Sequence, residues 1–258
     1  KNRPVLDRAK SMEAAEDGVT YTFKFYDNIK FHNGRPFTVD DVIWSYERMM
    51  RPDGEISPGM RWISNIKGAE AYGKEEADAI EGLKKIDDLT LQITLKDPVD
   101  IAYALYDSSL PILPKEEVEK MGKEFGNHPV GLGPFKFDSW TKGSEVVLVK
   151  NPDYFEKGRP YLDKVVYRIM PEGAARDLAF RAKDLDATIV GSTQYPGYKN
   201  DPEISENMIE VAEMFTRLMG FHPDYEPFSN KKVRQAINYA INDKLIIEKL
   251  LKEKAFNA

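Results

Sequence analysis

The chain has 258 residues, a net charge of −6 at pH 7, no cysteine and 41% hydrophobic residues. This length and composition exclude a disordered chain and predict one or two folded domains. The acidic balance argues against a nucleic-acid-binding protein, and the lack of cysteine excludes disulfides, thiolate metal sites and cysteine nucleophiles. No apolar run approaches the roughly 20 residues of a membrane-spanning helix. Because the sequence does not start with the apolar region of a signal peptide, the protein is either cytosolic or a mature or trimmed form, and the lack of an initial Met favours processing or trimming.

Residues 17–42 predict a strand, a tight turn and a capped helix. Aromatic and polar side chains alternate over residues 20–25, as they do in a half-buried β-strand. Asn33-Gly34 suits a tight turn because both residues tolerate positive φ. Thr38, with Asp41 three residues later, forms a capping-box pattern at the start of a helix whose apolar stripe faces a core.

The loop over residues 55–65 is the first candidate binding element. It combines glycine and proline with Arg61 and Trp62. Such a loop can present both side chains to a ligand, or it can bury the tryptophan in the core, and the sequence leaves both interpretations open. Beyond it, residues 83–95 alternate around Asp87-Asp88 and predict a β-hairpin.

Two glycines and two prolines within residues 127–135 predict an irregular crossing between domains. A phosphate-binding loop would need the spacing G-x-x-x-x-G-K-[ST], which this stretch does not have. We expect a hinge formed by Val130, Gly131, Gly133 and Pro134.

The residues after the crossing predict a hairpin and then a β-α-β unit. The hairpin pairs residues 135–140 with 145–150, and the unit has a strand at 165–170, a helix at 172–182 and a strand at 186–190. A β-α-β connection implies parallel pairing, and ligands tend to bind at the carboxyl ends of parallel strands. The following loop is therefore a second candidate binding element, although a polar strand-to-helix loop explains it equally well. Its candidate contacts are Ser192, Thr193, Gln194 and Tyr195.

A strand and two helices are predicted near the end of the chain. Residues 214–221 alternate as a strand does. Ser229 is the expected cap of an amphipathic helix that follows, and Asn242-Asp243 begins a second helix.

The residue pattern contains no recognisable catalytic or metal-binding motif. The three histidines, His32, His128 and His222, stand apart without H-x-x-x-H or H-E-x-x-H spacing, and no G-x-S-x-G elbow is present. We interpret His32 and His222 as surface or turn residues. We therefore expect a protein that is not an enzyme and that has no catalytic residues, metal ligands or cofactor.

Four stretches carry a wider sequence pattern. They are residues 30–49 (KFHNGRPFTVDDVIWSYERM), 129–135 (PVGLGPF), 148–155 (LVKNPDYF) and 227–247 (PFSNKKVRQAINYAINDKLII). In this order they resemble the family-5 extracellular solute-binding proteins, which are peptide- and nickel-binding receptors of ABC importers. The chain departs from the family pattern at Arg35 and Leu132, where threonine is usual, and at Lys183, where glycine is usual.

The resemblance implies the fold class and the division into lobes. The expected fold is α/β, periplasmic-binding-protein-like type II (cluster C), with mixed sheets flanked by helices and two partial lobes. Residues 1–128 would form the small lobe, and residues 129–258 the central part of the main ligand-binding lobe. Relatives are longer, so an N-terminal segment and a C-terminal lobe are expected to be missing from this chain.

The resemblance also implies function and partners. The expected protein is a substrate-binding receptor of an ABC importer, periplasmic or extracellular, with a lipid anchor on the full-length form as one alternative. It would bind a small solute, with an oligopeptide favoured over a saccharide or a metal chelate, and deliver it to the membrane permease. We expect a monomer that binds no nucleic acid. A hydrolase acting on peptides or saccharides and a ligand-sensing module of a regulator are the alternatives.

Ligand contacts are expected first on or beside the strand before the long helix, because family members present that strand to the cleft. Arg217 would pair with a carboxylate through two parallel hydrogen bonds. The candidates in this group are Phe215, Thr216, Arg217 and Phe221, followed by Trp62 and Arg61 and then by residues 192–195.

Overall fold

The computed structural model describes residues 5–51, 58–105, 108–211 and 218–252. The chain divides into two compact units, residues 1–169 and 170–258, which are described separately. This division falls later in the chain than the expected lobe boundary after residue 128. The lobe boundary stays a prediction.

The first unit contains a four-stranded antiparallel sheet in the order β1-β2-β4-β3. Its strands are β1 Ala9–Ala14, β2 Thr20–Phe25, β3 Leu83–Asp87 and β4 Thr90–Thr94. Phe23 of β2 pairs with Met12 on one side and Leu91 on the other. Because side chains alternate between the two faces of a strand, this row lies on one face of the sheet. The predicted strand at 20–25 and the hairpin at 83–95 are confirmed.

Five helices lie in the described residues of the same unit. They are α1 Val39–Met50, α2 Met60–Ile63, α3 Ala69–Gly73, α4 Ile101–Leu105 and α5 Lys115–Met121, which continues as a 3₁₀ helix, Gly122–Asn127. The Asp41 carboxylate accepts the backbone N–H of Thr38 at 2.9 Å, so the predicted cap of α1 is confirmed. Gly34 has φ +91°, which confirms the tight turn before this helix.

The hydrophobic core of the first unit lies between α1 and the four-stranded sheet. Val42, Tyr46 and Met49 form the buried stripe of α1, as their spacing predicts. Phe31 and Leu91 are each only 1% exposed, and burying a side chain of this size stabilises the fold by about 2–3 kcal/mol.

A three-stranded antiparallel sheet completes the first unit. Its strands are β5 Phe135–Thr141, β6 Glu145–Lys150 and β7 Lys164–Arg168, in that order. The ladder between β5 and β6 confirms the predicted hairpin, and its register shifts between Phe137 and Ser139. Phe155, which follows this hairpin, is buried in the core of the unit.

The second unit is helical in the residues that the structure describes. Its helices are α6 Gly173–Arg181, α7 Tyr195–Lys199, α8 Pro202–Ser205, α9 Lys231–Ala240 and α10 Asp243–Leu245, which continues as a π-helical turn, Ile246–Leu250. Tyr198 is its buried centre: the ring stacks on Phe180 at 5.8 Å between centroids, and the Arg181 guanidinium lies 4.8 Å from it. Burial raises the pKa of Tyr198 to about 12.

Two predictions for residues 165–230 are wrong. β7 pairs antiparallel with β6, and residues 187–190 form no strand, so the parallel β-α-β unit is not present among the described residues. A strand needs a neighbour to bond its backbone, and the exposed Ile189 belongs to neither of the sheets in the described ranges. The cap of α9 is Asn230 rather than Ser229, because the Asn230 side chain accepts the N–H of Lys232.

Candidate functional site

The first unit contains an apolar cavity of about 160 Å³. The side chains that line it come from α1, α2, β4, α4 and the segments beside them: Tyr46, Arg61, Trp62, Ile63, Asn65, Ile66, Ile93, Leu95, Val99, Ile101, Ala104, Leu105 and Leu110. Most are aliphatic, and polar groups enter the lining only at a few positions. A space of this size matches a small apolar group such as an aromatic ring.

Arg61 and Trp62 are the two predicted ligand residues that the structure brings to this cavity. The Arg61 guanidinium carbon lies 5.0 Å from the centre of the Trp62 ring, a cation–π arrangement. Trp62 is half-buried while Arg61 is exposed. Trp62 lines the cavity and is not part of the packed core, and its contact with a ligand stays a prediction.

A glycine allows α2 to sit at this position. A Cβ atom on Gly59 would lie 2.5 Å from the Ser109 carbonyl oxygen and 2.8 Å from Leu110 Cδ2. The backbone of residue 59 therefore approaches residues 109–110 more closely than any side chain would permit. This close approach places Arg61 and Trp62 next to Leu110 in the cavity wall.

Tyr46 of α1 is buried and lines the cavity. Burial raises the pKa of Tyr46 well above its ordinary value. The cavity can hold a small apolar group. The sequence carries no sign of this role, because the helical spacing of Tyr46 is that of an ordinary core residue.

Residues 192–195 lie in the second unit, in a turn that leads into α7. A Cβ on Gly191 would meet Gln194 Oε1 at 2.8 Å, so the Gln194 side chain folds back over the glycine backbone. Tyr195 donates its hydroxyl hydrogen to Glu210, and this hydrogen bond raises the pKa of Tyr195. Ser192 is half-buried and Thr193 is exposed. These side chains are near one another and accessible, which is what a polar contact surface requires.

The remaining candidates of the second unit are separated from this turn in the sequence. The ring of Phe221 packs against Phe228, with 5.1 Å between centroids. Phe215, Thr216 and Arg217 lie outside the described residues, as does the first half of the strand predicted at 214–221. The second half, residues 218–221, is described and forms no strand, so this part of the prediction is wrong. The contact of Phe215, Thr216 and Arg217 with a ligand stays a prediction.

The predicted hinge, Val130 to Pro134, lies within the first unit and leads into β5. The backbone N–H of Asn151 donates to the Pro134 carbonyl at 2.9 Å, and its side-chain amide donates to the Gly133 carbonyl at 3.1 Å. Asn151 is 1% exposed, so these two bonds are shielded from water. Leu132 is buried in the core, which gives its side chain an apolar environment where the family pattern has threonine.

His32 holds the same segment from the other side. It lies in the turn before α1, as expected, but its ring is half-buried rather than free on the surface. The ring contacts the backbone of Gly131 and Gly133. No local pattern could signal this contact, because 99 positions separate the histidine from Gly131.

Metal-ligand clusters and membrane-spanning helices are both missing from the described part of the chain. No three His, Asp or Glu side chains come together there in a group that could hold a metal ion. Every helix within residues 5–51, 58–105, 108–211 and 218–252 is too short or too polar to cross a membrane.

The sequence is similar to those of known binding proteins. Residues 3–258 match the family described as bacterial extracellular solute-binding proteins, family 5, middle region. Heme-binding protein A of Haemophilus influenzae is 30% identical over 255 residues, covering 93% of this chain and 45% of that protein. Oligopeptide-binding protein AppA of Bacillus subtilis is 31% identical over 248 residues, covering 95% of this chain and 43% of that protein.

The fold is similar to that of solved structures of the same family. The structure of AppA from Bacillus subtilis in complex with a nonapeptide superimposes with a TM-score of 0.71 at 28% identity, covering 96% of this chain and 47% of that one. The expected α/β binding-protein fold class is therefore confirmed. The chain spans a little under half the length of the curated relatives that it matches. It belongs to the family 5 bacterial extracellular solute-binding proteins.

Proposed function

We propose that the chain is part of an extracytoplasmic substrate-binding receptor that delivers an oligopeptide to the permease of an ABC importer. The match of residues 3–258 to the family carries this proposal. The relatives described above are named as binding proteins, and the similarity to AppA favours an oligopeptide. The receptor acts without chemical conversion of its ligand.

Binding in such a receptor works by shifting a conformational equilibrium. A ligand that contacts both lobes binds the closed form more tightly than the open form, and only this difference in affinity drives closure. Hinges are short segments that absorb the change in backbone dihedral angles. We assign this role to Val130, Gly131, Gly133 and Pro134, between a small lobe of residues 1–128 and a main lobe that includes residues 129–258.

Three groups of residues are proposed to contact the peptide. Arg217 would bind a carboxylate of the peptide, with Phe215, Thr216 and Phe221 beside it. The accessible polar side chains of residues 192–195 support a second contact. Arg61 and Trp62 are proposed as a third, supported by the cation–π pair at the edge of the apolar cavity.

Calorimetric titration of the full-length protein tests the receptor proposal. Oligopeptides, heme, oligosaccharides and a nickel–histidine complex would be titrated separately. We expect a saturable binding heat with a peptide class and recovery of the peptide unchanged. Heat that continues past saturation, together with cleaved product, would show a hydrolase and overturn the proposal. Binding of heme but of no peptide would change the proposed ligand class and leave the receptor proposal in place.

A binding variant tests the leading contact. Arg217→Ala in the full-length protein should weaken peptide binding by roughly tenfold or more, because one charge-assisted bidentate contact would be lost. Arg159→Ala is the matched control, since Arg159 makes exposed contacts with Glu156 and Tyr161. Equal peptide affinities for both variants would show that Arg217 does not contact the peptide.

A further inference from the structure

Both ring nitrogens of His32 face backbone groups whose hydrogen-bonding roles are fixed. The Gly131 backbone N–H donates to Nδ1 at 3.2 Å, and Nε2 lies 3.0 Å from the Gly133 carbonyl oxygen. An amide N–H can only donate and a carbonyl oxygen can only accept. The hydrogen-bond network therefore assigns one ring state, a neutral imidazole whose proton is on Nε2.

The backbone around His32 adds two further bonds to the same segment. The N–H of His32 donates to the Gly131 carbonyl at 2.9 Å, and Lys136 Nζ donates to the His32 carbonyl at 3.2 Å. The turn at residues 31–35 is thereby tied to residues 131–136 by four hydrogen bonds. Asn151 holds Gly133 and Pro134 from the other direction.

We propose that His32 is a positioning residue for the crossing at residues 130–134, a latch whose ring accepts the Gly131 N–H only while the ring is neutral. Protonation of Nδ1 would place a second donor against the Gly131 N–H and break that hydrogen bond. The bond from Nε2–H to Gly133 would remain. Acid therefore removes one of the four hydrogen bonds, while the His32 N–H still donates to the Gly131 carbonyl. The proposal deepens the proposed function, because it rests on this segment acting as the hinge.

The charges around the ring favour the latched state. Lys136, on β5, and Arg8, next to β1, are the charged groups that act on the ring, and both are cations that oppose its protonation. Burial is the largest effect, and together these lower the pKa of His32 in spite of the opposing bond to Gly133. The Gly131 N–H therefore bonds Nδ1 at neutral pH, and this bond is lost at a pH below the ordinary pKa of histidine.

NMR spectroscopy of the ¹⁵N-labelled chain tests the latch directly. We expect a scalar coupling across the hydrogen bond between the Gly131 amide nitrogen and Nδ1 of His32, together with a protonated Nε2. The chain has three histidines, so His32→Asn and His222→Asn variants assign the signals by their loss. A protonated Nδ1 at neutral pH would overturn the proposal.

Amide exchange of Gly131 supplies the second readout. His32→Phe should raise the exchange of this amide, corrected for its intrinsic rate, by roughly fivefold or more, because the acceptor is gone. His32→Asn offers an oxygen near the position of Nδ1, so it should keep the protection and lose its pH dependence. His222→Asn should behave as the parent chain. Unchanged Gly131 protection in a folded His32→Phe chain would overturn the latch.

These measurements need no ligand, so they separate the latch from the receptor proposal. If the chain passes both tests but the full-length protein binds no peptide, the latch is supported and the proposed function is wrong. If the full-length protein binds peptide but the exchange of its Gly131 amide does not change when His32 is substituted, the proposed function is supported and the latch is wrong.

Discussion

Arg35 and Asp41 form a two-point ion pair at the start of α1. The Nη2 and Nη1 atoms of Arg35 lie 2.6 and 3.2 Å from the Oδ1 and Oδ2 atoms of Asp41, whose side chain is only 6% exposed. The same guanidinium bonds Glu116 through Nε at 2.6 Å. Arg35 stands where the family pattern has threonine, and it replaces a neutral turn residue with a charged link between the turn, α1 and α5.

Removing this arginine should destabilise the first unit strongly. Arg35→Ala leaves the nearly buried Asp41 carboxylate without its counter-charge, and we expect a loss of about 2–3 kcal/mol in the free energy of unfolding. Urea denaturation measures it. Arg159→Ala removes an exposed ion pair and should leave the midpoint unchanged. A similar midpoint for both variants would contradict this role for Arg35.

Gly82 should tolerate no side chain. A Cβ at this position would lie 2.4 Å from the Thr94 carbonyl oxygen and 2.9 Å from the Lys67 nitrogen, both of them backbone atoms. Gly82→Ala must therefore displace strand backbone, and we expect a loss of about 3 kcal/mol or failure to fold. Gly126→Ala is the control, because no atom lies within 4 Å of its added Cβ. Equal stability of the two variants by thermal denaturation would contradict the prediction.

The sequence predicts local structure well and distant contacts poorly, for a physical reason. Alternation and turn residues identify the hairpin at 83–95 because both depend only on neighbouring residues. The same kind of pattern predicts a strand at 186–190, but a strand also needs a paired neighbour, which local sequence cannot provide. His32 is the corresponding case at the candidate hinge, since its partners Gly131 and Gly133 are remote in the chain.

Filling the apolar cavity should stabilise the first unit. Ala104 is buried and lines the cavity, so Ala104→Leu adds three carbons to empty apolar space, and we expect a gain of about 1 kcal/mol. Ala69 is 0% exposed and lies in the packed core, so Ala69→Leu has no space to enter and should lose about 1–3 kcal/mol. Chemical denaturation measures both variants. An equal loss of stability in the two would show that the cavity cannot accept a larger side chain.

The two units should differ in local stability. The first has an extended core, whereas α9 of the second has no buried residue in spite of its apolar stripe. Amide hydrogens exchange through local opening, whose cost rises with the apolar area that is buried. In this chain we expect amides of α9 to exchange roughly 100-fold faster than those of α1. Hydrogen exchange with mass spectrometry measures both, and equal protection would contradict the difference in packing.

Stability should fall in acid through His32. Its pKa is lowered in the folded chain, mainly by burial, so the unfolded chain binds a proton at a higher pH than the folded chain does. The free energy of unfolding is therefore highest above the ordinary histidine pKa of about 6.5 and falls as the pH drops from there through the lowered value. His32→Asn removes this titration. Urea denaturation at about pH 7.5 and about pH 5 should therefore show a smaller loss in the free energy of unfolding for this variant than for the parent chain. His222→Asn is the control, because His222 is exposed. The same loss in all three chains would exclude His32 as the source.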